Sequence, residues 1–228
     1  MGWNNWNPKD ISLQGLRAVL FDLDGTLAEC HIDFKAMREE VLSLLPRYGL
    51  PREGWEGWLI LEILHSASQH LPAEQAARLR AEAEECLLRH EMEAAHKSRW
   101  LPGVAETLRQ LRERGLRLGL LTRNHRAAVE LMLQREPLPL DAYLARNDVP
   151  HPKPHRQHPL QLLGLLQAAP EEAWLVGDHP TDMLCAQSAG ILPVGVLTGV
   201  GTESSLRAAG AVYILPSVAS LQEVLEHG

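Results

Sequence analysis

The sequence is poor in cysteine and in positive charge, and it has no uninterrupted membrane-length apolar run. The three cysteines Cys30, Cys86 and Cys185 are odd in number and far apart, which excludes a disulfide framework and a Cys-x-x-Cys zinc knuckle. Lys and Arg total 22 against 29 Asp and Glu, so a nucleic-acid partner is not expected. The longest uncharged stretch, Met183 to Thr202, contains a proline and four glycines, which is not typical of a membrane span.

No internal repeat or low-complexity segment is present, and no basic segment followed by an apolar core opens the chain. We therefore expect a cytoplasmic protein without a membrane partner. The 228 residues, 45% hydrophobic and 22% charged, have the composition of a globular protein. Their number predicts one large domain or a core with a smaller appendage.

Short apolar runs alternate with helical patterns along most of the chain. The runs predict buried parallel strands at 17–21, 116–121, 173–177, 193–197 and 211–215. Helices are predicted at 103–114, 124–135, 159–168, 181–189 and 218–226. This alternation predicts a doubly wound, Rossmann-like parallel α/β sheet, whose ligand site lies outside the carboxyl ends of the strands.

One region interrupts the alternation, because residues 31–98 contain only helical patterns. Helices are expected at 34–45 after Asp33, within 53–70, and at 73–98 after Pro72. We predict an α/β core of residues 1–30 and 99–228 with an all-helical cap, residues 31–98, inserted after the first strand. Such an insertion is a candidate lid.

Four acidic side chains follow two of the predicted strands. Asp22 and Asp24 end the first strand, and residues two apart in an extended segment point to the same side. Repulsion between two such carboxylates indicates either a bound cation or a division of roles between nucleophile and acid. Asp178 and Asp182 follow the strand AWLVG. Hard oxygen ligands in this arrangement favour Mg²⁺.

Groups suited to an anion follow two other elements. Thr122 and Arg123 come after LRLGLL and before a helix, whose N-terminal amides also attract phosphate. Lys153 is an ammonium in the proline-rich segment HPKPHRQHP. The predicted sheet edge therefore combines carboxylates, a hydroxyl and cations.

The segments DLDGT, LLT, the Lys-Pro loop and GDHPTD, in this order and approximate spacing, resemble the motifs of the haloacid-dehalogenase-like hydrolase superfamily. The resemblance extends from Arg17 to the end of the chain. It is closest to the phosphatase branch with a helical cap between the first two motifs, which is similar to phosphoglycolate phosphatases. It implies an Mg²⁺-dependent phosphatase acting on a small phosphorylated metabolite.

The resemblance also implies a role for each matching residue. Asp22 would be the nucleophile that forms an aspartyl-phosphate, and Asp24 the general acid and base. Thr122, with Arg123, and Lys153 would hold the phosphoryl group. Mg²⁺ would be bound by Asp22, by the main-chain carbonyl of Asp24 and by Asp178. Asp182 would support this set.

The sequence departs from the family pattern in two places. The usual Lys-Pro-x-Pro is replaced by KPHRQHP, so the next proline after Pro154 is Pro159, which predicts a different loop shape. The segment after DGTL is Ala28-Glu29-Cys30-His31, without the Asp that is common there. Contacts at the cap hinge therefore do not transfer from the family.

Other side chains have a structural interpretation beside a functional one. His151, His155 and His158, with His179, could bind a transition metal, although an ordinary polar loop is favoured. Trp55 and Trp58 are expected to pack inside the cap. The cap cations could recognise an anionic substrate, although solvated helix faces are more common: Lys35, Arg38, Arg47 and Arg52. Trp3 and Trp6 are expected to pack on the core or on a neighbouring subunit.

Several functions remain open alongside the phosphatase. A haloacid dehalogenase or phosphonate hydrolase would not need the general acid Asp24. A phosphomutase and a non-catalytic binding or regulatory protein are the retained alternatives. The expected partner is a small phosphate ester, and the chain is expected to be a monomer or a homodimer.

Overall fold

The computed structural model of the chain describes residues 13–227. The chain divides into two compact units. The sheet unit comprises the residues up to Cys30 and from Ser98 onward, and the helical unit comprises His31–Lys97. The expected packing of Trp3 and Trp6 falls outside the described residues.

The helical unit consists of α1 (Phe34–Leu44), α2 (Ile60–Gln69) and α3 (Ala73–Lys97). Asp33 caps α1, since its Oδ1 accepts a hydrogen bond from the backbone N of Ala36 at 2.9 Å. The three helices share an apolar core of their own, which includes Val41, Ile63 and Leu79. The unit is therefore held together by its own buried side chains.

The helix expected within 53–70 is α2, which begins at Ile60. The preceding residues form turns, and Gly54 and Gly57 have φ values of +90° and +78°. Glycine adopts this left-handed backbone without steric strain, so it ends the helical pattern there. Trp55 packs against the core of the unit, as expected, whereas Trp58 remains 45% exposed.

Three of the four cations named as candidates for substrate recognition have partners inside the helical unit. Arg38 donates to the backbone carbonyls of Trp55 and Trp58. Arg47 pairs with Glu82 at 3.3 Å, and Arg52 pairs with Glu39 at 2.6 Å. These contacts favour a structural role for the three arginines.

The sheet unit is built on a parallel sheet. Its strands are β1 (Ala18–Phe21), β2 (Arg117–Leu121), β3 (Ala142–Leu144), β4 (Ala173–Gly177), β5 (Leu192–Val196) and β6 (Tyr213–Leu215). Within the described residues, these six strands lie in the order β3-β2-β1-β4-β5-β6. The predicted Rossmann-like fold with an inserted all-helical segment is confirmed.

Helices connect and cover the strands of the sheet unit. They are α4 (Val104–Glu113), α5 (Arg126–Arg135), α6 (Gln157–Leu166), α7 (Pro180–Ala189), α8 (Glu203–Ala208) and α9 (Leu221–His227). All four residues of β1 are fully buried, as expected for a central parallel strand covered on both faces. In the part of the chain described, no helix has the length and apolar character needed to cross a membrane.

Two elements of the sheet unit were not predicted from the sequence. Strand β3 has three residues, pairs with β2 and is not part of a longer apolar run. Helix α8 is also short and begins at a cap, where Thr202 Oγ1 accepts from the backbone N of Ser205 at 3.1 Å.

The register of the central strands positions their carboxyl ends together. Phe21 at the end of β1 lies opposite Leu120 of β2 and Val176 of β4. The residues that follow these three strands therefore meet at one edge of the sheet. Asp22, Thr122 and Asp178 are among them.

Candidate active site

The end of β1 turns sharply after Asp22. The carbonyl of Leu23 accepts hydrogen bonds from the backbone N of Thr26, Leu27 and Ala28, at 2.9 to 3.3 Å. Gly25 in this turn has a φ of +77°. A Cβ at Gly25 would also lie 2.8 Å from Asp178 Oδ2, so both the backbone conformation and the close approach require glycine.

Asp22 and Asp178 face each other across this turn. Both are buried, with 7% and 3% of their surface exposed. Thr26 Oγ1 lies between them, 3.5 Å from Asp22 Oδ2 and 3.3 Å from Asp178 Oδ1. The hydroxyl of the DGT segment therefore contacts both carboxylates.

The loop after β5 brings backbone close to Asp178. The backbone N of Val200 donates to Asp178 Oδ2 at 2.8 Å, and the backbone N of Gly201 donates to the Asp178 carbonyl at 3.0 Å. A Cβ at Gly199 would overlap Asp178 Oδ2. The segment 199–201, which sequence reasoning did not single out, thus fixes the orientation of this carboxylate.

Lys153 joins the two acidic pairs. Its side chain is 4% exposed, and Nζ donates to Asp22 Oδ1 and, at 2.8 Å, to Asp182 Oδ1. The other oxygen of Asp182 accepts from the backbone N of His179 at 3.1 Å, where it caps α7. Both oxygens of Asp182 therefore have partners within the protein.

His158 holds the backbone of Lys153. Its Nδ1 accepts from the backbone N of Lys153 at 3.0 Å, and its Nε2 lies 3.2 Å from the carbonyl of Leu144. A carbonyl only accepts, so Nε2 carries the proton and the ring is neutral. Burial, and then the Lys153 ammonium, lower the pKa of His158 to about 3.

The histidines of this loop have separate environments. His158 is fully buried, whereas the exposed His151 and the exposed His155 form a ring pair with centroids 4.8 Å apart. Within residues 13–227, the groups of clustered metal-ligating atoms do not include these three side chains. His158 is therefore a structural anchor of this loop.

The end of β2 supplies a second set of contacts. Thr122 is buried, and its Oγ1 accepts from the backbone N of Asn124 at 3.1 Å. Asn124 Nδ2 donates to Asp24 Oδ2 at 2.8 Å. Asn124 was not among the predicted site residues; its position three residues after β2 is the signal that could have identified it. Arg123 is partly exposed beside this contact.

The carboxylates of this edge resist ionisation. Burial raises the pKa of Asp22 to about 7; the Lys153 ammonium opposes this increase, and Asp182 and Asp178 add to it. Burial and the Asp22 charge raise the pKa of Asp24 to about 6. Burial and Asp182 also raise the pKa of Asp178. The site therefore favours a further positive charge or a shared proton.

Burial alone would lower the pKa of Lys153, but the carboxylates of Asp182 and Asp22 outweigh it and raise the pKa. Lys153 is therefore charged at neutral pH. One ammonium opposes several carboxylates, so the acidic cluster retains an excess of negative charge.

The donor set of this cluster suits a hard divalent cation. Asp22, Asp178 and Asp182 each place a carboxylate oxygen within 4.8 Å of the other two. This group contains Asp22 and Asp178, which the family resemblance assigns to Mg²⁺, and Asp182, to which it gives a supporting role. The Asp24 side chain contacts Asn124, and the resemblance assigns only the main-chain carbonyl of Asp24 to the ion. All three carboxylates also accept hydrogen bonds within the protein: Lys153 and His179 donate to Asp182, Lys153 and Thr26 to Asp22, and Thr26 and Val200 to Asp178.

Comparison with known proteins identifies the family. Residues 19–196 match the family model described as haloacid dehalogenase-like hydrolase. A haloacid dehalogenase-like hydrolase domain-containing protein, At2g33255, from Arabidopsis thaliana is 31% identical over 176 residues, which cover 77% of this chain and 68% of that protein. The pyrophosphatase PpaX of Bacillus cereus strain G9842 is 29% identical, and the match covers 93% of this chain and 97% of the relative.

A solved structure agrees with this assignment. A hydrolase from Pseudomonas syringae superposes with a TM-score of 0.66 at 25% sequence identity, over 92% of this chain and 98% of that chain. The family resemblance inferred from the motifs is therefore confirmed. The chain belongs to the haloacid dehalogenase-like hydrolases.

Proposed function

We propose that the chain is an Mg²⁺-dependent phosphatase that hydrolyses a small phosphate ester through an aspartyl-phosphate on Asp22. The carrying observation is the contact of the Lys153 ammonium with the Asp22 carboxylate, at the sheet edge where Asp178 supplies a second carboxylate. The similarity to a pyrophosphatase over almost its whole length supports phosphoryl chemistry.

Asp22 is the nucleophile in this proposal. One of its oxygens bonds to phosphorus while the bond from phosphorus to the leaving oxygen breaks. Lys153 keeps Asp22 ionised and neutralises charge on the phosphoryl oxygens. Thr122 and Arg123, which follow the neighbouring strand, hold those oxygens. Most of the rate enhancement then comes from positioning and charge stabilisation.

Asp24 moves the protons. It donates a proton to the leaving oxygen, and the resulting carboxylate then takes a proton from the water that attacks the aspartyl-phosphate. A pKa of about 6 allows both protonation states near neutral pH. The hydrogen bond from Asn124 Nδ2 orients the carboxyl group for this role.

Mg²⁺ would be held by Asp22, by Asp178 and by the main-chain carbonyl of Asp24, where it would neutralise charge on the transferring group. Asp182 would support this set through Lys153. The helical unit, inserted between β1 and α4, is proposed as the cap that selects the substrate.

The test is phosphate release from an aryl phosphate and from a panel of small metabolite phosphates, with Mg²⁺ or with EDTA. We expect turnover that requires Mg²⁺ and is lost in Asp22→Asn. Asp33→Asn is the matched control, because asparagine caps a helix as well as aspartate does. Absence of phosphate release from a folded, Mg²⁺-loaded protein would refute the phosphatase, and transfer between sugar phosphates would identify a mutase.

A further inference from the structure

The helical unit contains a second group of potential metal ligands. Glu40 lies on α1, and Cys86 and His90 lie four residues apart on α3. Residues at this spacing share one face of a helix. One ligand atom from each of the three side chains lies within 4.8 Å of the other two. The group is formed entirely within the helical unit.

The donor types differ from those of the acidic cluster in the sheet unit. A thiolate, an imidazole and a carboxylate suit zinc, which binds sulfur, nitrogen and oxygen in tetrahedral sites. Zinc ligand bonds are about 2.0 to 2.3 Å long, so three ligands of one ion lie about 3 to 4 Å apart. The observed spacing needs only small side-chain movements to reach this geometry.

The group has a buried ligand that is held in place and an exposed side through which a metal ion can enter. Cys86 is buried, and His90 is only partly exposed. Glu40 has a side chain that is 39% exposed, so the group opens to solvent on one side. A thiolate and a carboxylate would balance the two charges of the ion.

The hydrogen bonds of the group are compatible with an ion. His90 Nε2 lies 2.9 Å from Glu40 Oε2, and the other oxygen of Glu40 accepts from Arg89. Arg89 therefore fixes the carboxylate through Oε1, while Oε2 faces His90. An ion would take the place of the contact between Glu40 and His90: the Cys86 thiol would release its proton to solvent, and the proton on His90 Nε2 would be replaced by one on Nδ1.

We propose that Glu40, Cys86 and His90 form a zinc site in the helical unit, with water as the fourth ligand. The site is distinct from the magnesium site proposed at the sheet edge. It joins α1 to α3, so zinc would stabilise the helical unit.

The experiment uses the complete, metal-stripped protein and Co²⁺ as a spectroscopic substitute for zinc. We expect a thiolate-to-cobalt charge-transfer band that one equivalent of Zn²⁺ removes. We expect Cys86→Ser to abolish the band, and His90→Gln to weaken zinc binding at least tenfold, which is about the minimum loss for removing even an outer-shell partner. Cobalt at the acidic cluster would not give this band, since its donors are oxygens.

Cys185→Ser is the matched control, since Cys185 is also a buried thiol but lies in the sheet unit; it should retain the band. Asp178→Asn should also retain it, which separates this test from that of the phosphatase. If Cys86→Ser does not fold, as judged by circular dichroism, the His90→Gln titration decides. An absent band in the wild type, or unchanged zinc affinity in His90→Gln, would overturn the proposal and leave a hydrogen-bonded triad.

Discussion

Replacing Asp24 with asparagine should make the metal-free protein more stable while it removes activity. Burial and the neighbouring Asp22 raise the pKa of Asp24 from its usual 3.8 to about 6. The folded state therefore binds a proton that the unfolded chain releases between these pH values. The free energy of unfolding therefore decreases as the pH rises from 3.8 to about 6, and above this range the buried Asp24 carboxylate destabilises the folded state by the full amount.

The size of the effect follows from the two pKa values. Their difference corresponds to about 3 kcal/mol, which we reduce to about 1 to 2 kcal/mol because the Asp24 side chain is partly exposed to solvent. Asparagine has nearly the same shape, and its Oδ1 can still accept the hydrogen bond from Asn124. At pH 8, Asp24→Asn should gain that amount, and near pH 4 the two proteins should be about equally stable.

Urea unfolding in EDTA at both pH values measures the difference. Asp148→Asn is the matched control, for which we expect the opposite change in stability. Arg126 donates to both Asp148 oxygens at 2.7 Å and holds the pKa of that carboxyl low despite its burial, so this variant should lose stability at pH 8. Turnover of Asp24→Asn should fall by about 10² to 10⁴. An Asp24→Asn protein no more stable than the wild type at pH 8 would refute the electrostatic argument.

Three further substitutions test the scaffold of the site. Gly199→Ala should displace the Asp178 carboxylate and raise the Mg²⁺ concentration needed for half-maximal activity; Gly164→Ala, which has open space around it, should leave that concentration unchanged. His158→Asn should lose about 1 to 3 kcal/mol in urea unfolding at pH 8. The stability difference between the two proteins should shrink at pH 4.5. Below pH 6.5 the unfolded wild-type chain binds a proton on His158 whereas the folded protein keeps this histidine neutral, so the wild type loses stability there. An equal difference at both pH values would contradict this explanation. Lys153→Met should lose about 3 to 5 kcal/mol at pH 8 in EDTA. The loss should be smaller at pH 5, where its partner Asp22, with a pKa of about 7, binds a proton; equal losses would count against the pairing.

The parallel sheet was largely predictable because its strands are short apolar runs ended by turns. The run at 17–21 coincides with β1, and the run at 173–177 coincides with β4. Strand β3 was missed because its three residues stand between Asp141 and Arg146, whereas β6, which is equally short, lies in the longer apolar run 211–215. The turns before α2 were also missed, because local helix preference dominated over the two glycines there.

The positions of Asp22, Thr122 and Asp178 followed from strand ends, whereas the contacts between the site residues did not. Asp22 and Asp178 could be assigned to one sheet edge because both follow predicted strands. The bond between the Lys153 ammonium and Asp182 depends on where a long loop folds back. The role of His158 depends on the direction of its ring, which only the backbone N of Lys153 and the Leu144 carbonyl define.

The two segments that connect the sheet unit to the helical insertion are hydrogen-bonded to each other. Glu29 N donates to the Arg99 carbonyl, and Leu101 N donates to the Leu27 carbonyl, both at 2.9 Å. The two ends of the insertion are thus fastened together whatever lies between them. Since loop closure depends only weakly on length, evolution or an engineer could exchange residues 31–97 for another module and leave the sheet intact. The sheet unit is thus a scaffold whose insertion site tolerates different inserted domains.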